Sequence, residues 1–311
     1  MSRTSSRTVV GLTALALALA PLSPVAAHER PDRIALETGS LPEGIAAGPG
    51  RTFFVGARSD GDIYVGDVRS DTVTRLVDET TAGAAAVGMF YDRRSGLLWV
   101  AGGGPLALGL GTVTAYDGAR EVFQTTVDDA GFLNDVVVTR DAVYVTDSGS
   151  PALVVVPLDR SGRPAGPAER LPLTGDYEQP DGFGANGIRE LPGGGLVVVS
   201  GGVLYAVDPA TGVADTIEVS GRQLSGGDGL ELRGKRLYVV NGYGGDEVVV
   251  LRLAGDGRSA RTVGVIRESD PDQLDRPTTA ALVAGSLYVV NGRFRIADET
   301  TENFVTRLPR R

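Results

Sequence analysis

Cysteine is absent from this chain, and histidine occurs once, at His28. The first absence excludes disulfides, thiolate catalysis and metal sites held by sulfur. The second excludes a serine or cysteine hydrolase built on an internal histidine base, and argues against redox metal centres that rest on several imidazoles. Aromatic residues are only 6% of the chain. No helical periodicity is visible beyond the first residues, so α/β architectures have little support. Nor is any later apolar stretch long enough to cross a bilayer. Even without disulfides, a chain of 311 residues buries enough apolar surface to fold.

The N-terminal segment reads as a leader. Arg3 and Arg7 precede a short apolar run from Val9 to Leu22, and Val25-Ala26-Ala27 offers small residues for cleavage before His28. These features predict a secretory signal peptide over residues 1–27, a mature domain over 28–311, export, and no membrane anchor. Removing the leader takes two of the 30 basic residues and none of the 39 acidic ones, which leaves a net charge near −11. Such a field repels nucleic acid and anionic membrane surfaces.

Glycine is plentiful, at 44 residues, about twice the usual share. That balance fits many short strands joined by tight turns. One phrase recurs: a small or polar pair, an apolar strand, a turn, and a second apolar strand ending in a small or polar residue. It begins at Glu43-Gly44, Val87-Gly88, Asn134-Asp135, Asn186-Gly187, Asp228-Gly229 and Thr278-Thr279, at intervals of 42 to 52 residues. Six copies at this spacing predict an all-β, six-bladed β-propeller with four antiparallel strands per blade. The last copy has too little chain after Phe304-Val305-Thr306-Arg307-Leu308 for a fourth strand. Arg33-Ile34-Ala35-Leu36-Glu37 is expected to supply it and so close the ring.

In such a ring the first strand of each blade lines the central channel. The first residues of four copies, Glu43, Asn134, Asn186 and Asp228, therefore converge on one mouth. Four hard oxygen donors with two negative charges suit Ca²⁺ or another hard divalent cation, and suit copper or zinc poorly. Asp or Asn before Gly is also an ordinary turn former, so each pair taken alone reads equally as a turn. Thirteen residues after the first site, at the end of the second strand, lie Asp147, Asn241 and Asn291. Because the two strands are antiparallel, these three are expected near the same mouth, as a second polar tier that orients ligands or binds substrate hydroxyls.

The Glu-Gly, Asn-Asp, Asn-Gly and Asp-Gly openings, in that blade order, resemble the senescence marker protein 30/gluconolactonase family. The likeness spans the mature chain and is closest over Phe132 to Val138, Thr146 to Ser148 and Gly226 to Leu230. The chain looks nearest to a secreted branch of that superfamily without an assigned activity. The resemblance implies a six-bladed propeller that binds Ca²⁺ through Glu43, Asn186 and Asp228, with Asn134 facing metal or substrate. It further implies hydrolysis of a lactone or related small cyclic ester, with Asp228 as general base. Two departures stand out. Phe132 occupies a position where family enzymes often carry an arginine that contacts sugar acids, and blade two offers only Val87 and Gly88 at the channel register. Both favour a substrate less polar than a sugar acid. A non-catalytic, metal-stabilised propeller that binds a ligand or partner remains an alternative. A strictosidine-synthase-like condensing enzyme, with Asp181 or Glu231 as its acid, is a third. Asp128, Asp129 and the segment 268–272 read as turns and solvated loop.

Overall fold

The computed structural model describes residues 30–79, 83–103, 111–267, 273–294 and 300–308; the expected leader and the segment 268–272 lie outside them. Among the described residues there is no helix. Six antiparallel sheets follow one another along the chain and correspond one to one with the six copies of the repeat. In the first blade the strands are Pro42–Ala47, Thr52–Ala57, Ile63–Asp67 and Val73–Val77, from the channel outward. The fourth and fifth blades each gain a short parallel strand on the outer edge, Thr174–Gly175 and Glu218–Ser220. These cover backbone groups that an outer strand would otherwise leave unpaired.

The ring closes as the sequence predicts. Arg33–Ala35 pairs antiparallel with Phe304–Leu308 and becomes the fourth strand of the sixth blade. Ile34 and Val305 face each other across this pair, and both are fully buried in a cluster with Phe53, Val55 and Tyr288. The last blade is thereby completed by the start of the domain, and an open sheet edge disappears.

Apolar packing falls into six clusters, one at each blade–blade contact, in place of a single centre. This follows from alternation along strands: one face of a blade packs on the preceding sheet and the other on the following one. Trp99, the only tryptophan, is fully buried between the second and third blades against Phe123.

One detail of the ladders positions the channel residues. In five blades the pairing of the innermost strand with its neighbour skips a register at the first residue of the repeated pair. The skips fall between Pro42 and Ile45, Ala86 and Gly88, Leu133 and Val136, Ala185 and Ile188, and Pro277 and Ala280. A bulge re-aims the side chains at the irregularity. In the fifth blade the same place is held by two backbone hydrogen bonds, Asp228 N to Val240 O and Val240 N to Gly229 O. The glycine that follows is required by the next blade. A Cβ on Gly44 would stand 2.0 Å from Val87 O, one on Gly88 2.2 Å from Asn134 O, and one on Gly187 2.6 Å from Asp228 O. Backbone thus meets backbone around the channel, and these glycine-containing pairs make inter-blade contacts and are not simple turns.

Candidate functional site

Glu43, Asn134, Asn186 and Asp228 come together on a single cavity of about 940 Å³ at one end of the channel. Val87 of the second blade lines the same space. Each of the five is the first residue of its repeated pair; the bulge sets the register of Glu43, Val87, Asn134 and Asn186, and the two backbone hydrogen bonds to Val240 set that of Asp228, which is why residues so far apart in sequence share one wall.

The site carries an electrostatic conflict. Glu43 and Asp228 are both buried. Burial pushes the Glu43 carboxyl up to about 7, against the attraction of Arg58. Asp228 is raised well above its ordinary range, first by burial and then by the negative charge of Glu43. A hydrogen bond from the Asn186 side chain acts in the opposite direction, favouring the Asp228 carboxylate. Asn134 donates through Nδ2 to Ser148 Oγ at 3.0 Å, which leaves its Oδ1 to accept or to ligate. Ser148 Oγ in turn donates to Ala185 O at 2.7 Å, which fixes the hydroxyl that receives the amide. Glu43 Oε2 is buried without a hydrogen-bond partner; its nearest cation is Arg58 Nε, also unpartnered, at 3.8 Å. An orphaned carboxylate oxygen beside a second carboxylate and two amide side chains is a donor set that a hard divalent cation would complete. Among the described residues no three or more His, Cys, Asp and Glu side chains gather at one point, so such an ion would depend on the two asparagines.

The second tier expected from the thirteen-residue spacing is turned away from the cavity. Asp147 is fully buried and accepts from the backbone N–H groups of Gly131, Phe132 and Gly149, with Arg170 Nη2 at 2.9 Å. Asn241 accepts from Gly244 N and donates to Ser225 Oγ. Asn291 accepts from Asp275 N and donates to Thr306 Oγ1. None of the three lines the cavity. In each case a polar residue at the end of the second strand ties down neighbouring loops. The spacing records that repeated staple, because strand position sets height along the channel but not the face a side chain takes.

Behind the four residues lies a second polar group. Asp135 accepts from Val136 N, from Ile188 N and from Arg189 Nη1, the last at 2.7 Å. Arg189 Nε also stands 3.7 Å from Glu231, whose carboxyl burial pushes up to about 7 despite that attraction. Glu231 is thus engaged with Arg189 and lies off the cavity lining, and Asp181 is exposed, off the lining, on the loop that brings Phe183 to it. Neither stands where the acid of a condensing enzyme would meet a substrate in this cavity.

Of the residues around the opening, sequence reasoning singled out Phe132 and missed Phe183, Tyr243, Phe294 and Arg58. Phe132 and Phe183 meet edge to face with ring centroids 5.3 Å apart, and Tyr243 and Phe294 stack at 5.8 Å. All four line the cavity, as does Arg58. Phe132 lies two residues before a repeated pair; Arg58 and Tyr243 share a register, fifteen residues after Glu43 and Asp228, but their chemistry differs, and Phe183 and Phe294 sit on loops of their own, so no residue type recurs to mark them.

No protein-family model matches the chain, and no curated protein matches it. Solved structures do match. The PQQ-bound form of an aldose sugar dehydrogenase from Streptomyces coelicolor aligns over 90% of this chain and 99% of its own, with a TM-score of 0.58 at 15% identity. A luciferin-regenerating enzyme aligns over 88% and 92%, with a TM-score of 0.57 at 11% identity. Virginiamycin B lyase from Staphylococcus aureus aligns over 89% and 99%, with a TM-score of 0.54 at 10% identity. At such identities the likeness is one of fold, and it makes this chain a six-bladed β-propeller similar in architecture to several named enzymes.

Proposed function

We propose that this protein is an exported, calcium-dependent hydrolase that opens a lactone or a related small cyclic ester in the axial cavity. The observation that carries the reading is the pair of buried carboxylates, Glu43 and Asp228, which share a cavity with Asn134 and Asn186 while Glu43 Oε2 lacks any hydrogen-bond partner. Two buried negative charges that share one cavity, with Arg58 only at 3.8 Å from Glu43, are costly, and a hard dication would remove the cost. Glu43, Asn134, Asn186 and Asp228 would hold it, and when bound it supplies a Lewis acid for an ester carbonyl.

The chain's own groups do the rest. Asp228, steadied by the Asn186 side chain, accepts a proton from the attacking water. The water oxygen bonds to the carbonyl carbon, the ring C–O bond breaks, and the leaving oxygen takes up a proton to give a hydroxy acid. The apolar part of the lining, including Leu41, Ala85, Val87, Ala130 and Leu133, excludes water from the reacting ester. It also agrees with a substrate less polar than a sugar acid.

The test is metal analysis and calcium titration of residues 28–311 beside Asp228→Ala, followed by γ- and δ-lactones in a pH-stat with and without chelator. Stoichiometric calcium that is lost in the variant, with chelator-sensitive ring opening, supports the reading. Calcium binding with no turnover of any lactone leaves a metal-stabilised binding module, and no divalent cation at all removes the mechanism.

A further inference from the structure

Arg58 is the feature of the cavity that lactone opening leaves unused. Its guanidinium carbon lies 4.7 Å from the centroid of the Phe294 ring, and Phe294 stacks on Tyr243. Arg276 covers the other end of the stack, 5.2 Å from the Tyr243 centroid. The order is cation, ring, ring, cation. Arg58 and Arg276 each carry a buried Nε without a hydrogen-bond partner. Of the two, only Arg58 lines the cavity. Among the described residues its one ion-pair partner is Glu43 at 3.8 Å, too far for a hydrogen bond. With a dication balancing Glu43 and Asp228, the positive charge of Arg58 faces the cavity uncompensated. A guanidinium held over an aromatic ring is a preordered fork for a carboxylate.

The walls beside it are flat and apolar. Phe183 and Tyr243 are 65% and 67% exposed, large fractions for aromatic side chains, and both border the cavity. They belong to ring pairs that join the third to the fourth blade and the fifth to the sixth, so aromatic surface borders the opening from two sides. Beyond the four channel residues, few side chains here could hydrogen-bond a polyhydroxylated ligand.

We propose that the cavity selects an amphiphilic carboxylate: a flat, apolar ring system lying against Phe183 and Tyr243, with its carboxylate on Arg58. The inference rests on reading the cavity as a substrate site and narrows the substrate class. It places the anion-binding arginine on the first blade, where nothing in the repeat marks it.

The experiment is calorimetric titration of the calcium-loaded protein with three probes that contain no cleavable ring: 2-naphthoate, 2-naphthylmethanol and gluconate. The first should bind at least ~10-fold more tightly than either of the others, the preference expected of one charge-assisted contact. Arg58→Gln should bring 2-naphthoate down to the level of 2-naphthylmethanol and leave the latter unchanged, whereas Arg58→Lys should keep part of the preference. Arg276→Gln, off the cavity, should keep all of it, and Tyr243→Ala should weaken both ring compounds several-fold. Thermal melts of each variant confirm folding. Equal binding of the two naphthalene probes, tight binding of gluconate, or an undiminished preference in Arg58→Gln would overturn the proposal. Because no probe can be hydrolysed, a protein that binds 2-naphthoate as described but opens no lactone keeps this proposal and loses the hydrolase reading.

Discussion

Replacing Asp228 by Asn should change the sign of its effect on stability when calcium is added. In chelator at pH 8, the wild-type protein holds Asp228 and Glu43 buried on one cavity, and each disfavours the ionised form of the other. Asparagine has the same shape, can keep a hydrogen bond with Asn186, and removes one of the two charges. Relief of burial and repulsion is expected to stabilise the metal-free variant by about 1–3 kcal/mol. At roughly 2–4 °C per kcal/mol for a domain of this size class, its melting temperature should rise by about 2–12 °C. At a calcium concentration one hundred times the dissociation constant, the wild type gains about 2.7 kcal/mol by mass action. Having lost one of two charged ligands, the variant should gain much less, and the order of stabilities then closes or inverts. Scanning calorimetry of both proteins in EDTA and across a calcium series measures this directly. If Asp228→Asn is the less stable protein in EDTA and both respond equally to calcium, the electrostatic reasoning and the metal assignment are both refuted.

Three further outcomes are expected. Arg189→Met leaves Asp135 buried without its counter-ion and should cost about 3–5 kcal/mol in urea unfolding, part of it recovered when Asp135→Asn is added; an unchanged midpoint would show that the pair is not needed. The Glu231 carboxyl has a folded pKa raised from 4.5 to about 7, so the folded state holds its proton more tightly than the unfolded chain. Stability should therefore fall as pH rises between 4.5 and about 7, by up to about 3 kcal/mol, and Glu231→Gln should flatten that slope in urea melts at several pH values. Gly44→Ala forces a Cβ to within 2.0 Å of Val87 O and should cost about 3 kcal/mol or more, whereas Gly193→Ala, with nothing within 4 Å, should stay within about 0.5 kcal/mol. Paired thermal melts decide between a true backbone contact and a tolerant one.

Much of this molecule could be read without coordinates, because a propeller repeats its local physics. Each blade needs the same short apolar strands and the same close approach to its neighbour, so the pairs from Glu43-Gly44 to Thr278-Thr279 recur at blade spacing. The strand Arg33–Ala35 was legible as the missing edge of the last blade for the same reason: a sheet with three visible strands and a partnerless strand at the other end of the chain must close. Asp147, Asn241 and Asn291 show where such reading stops. Their spacing is as regular as that of the channel residues, yet their side chains satisfy loop N–H groups and neighbouring hydroxyls.

By itself the sequence determined the all-β class, the six-fold ring, its closure and the four residues that meet on the channel, since all of these follow from periodic patterning along one strand type. Only the tertiary structure decided that bulges place Glu43, Asn134 and Asn186 on the cavity while backbone bonds to Val240 place Asp228, that the second tier faces the loops, and that Arg58 stands beside Glu43 over the Phe294 ring. The physical reason is the same for each. Periodicity sets how far along a strand a residue lies, whereas the direction of its side chain, and the meeting of residues from loops of unequal length, depend on contacts made after the ring has closed.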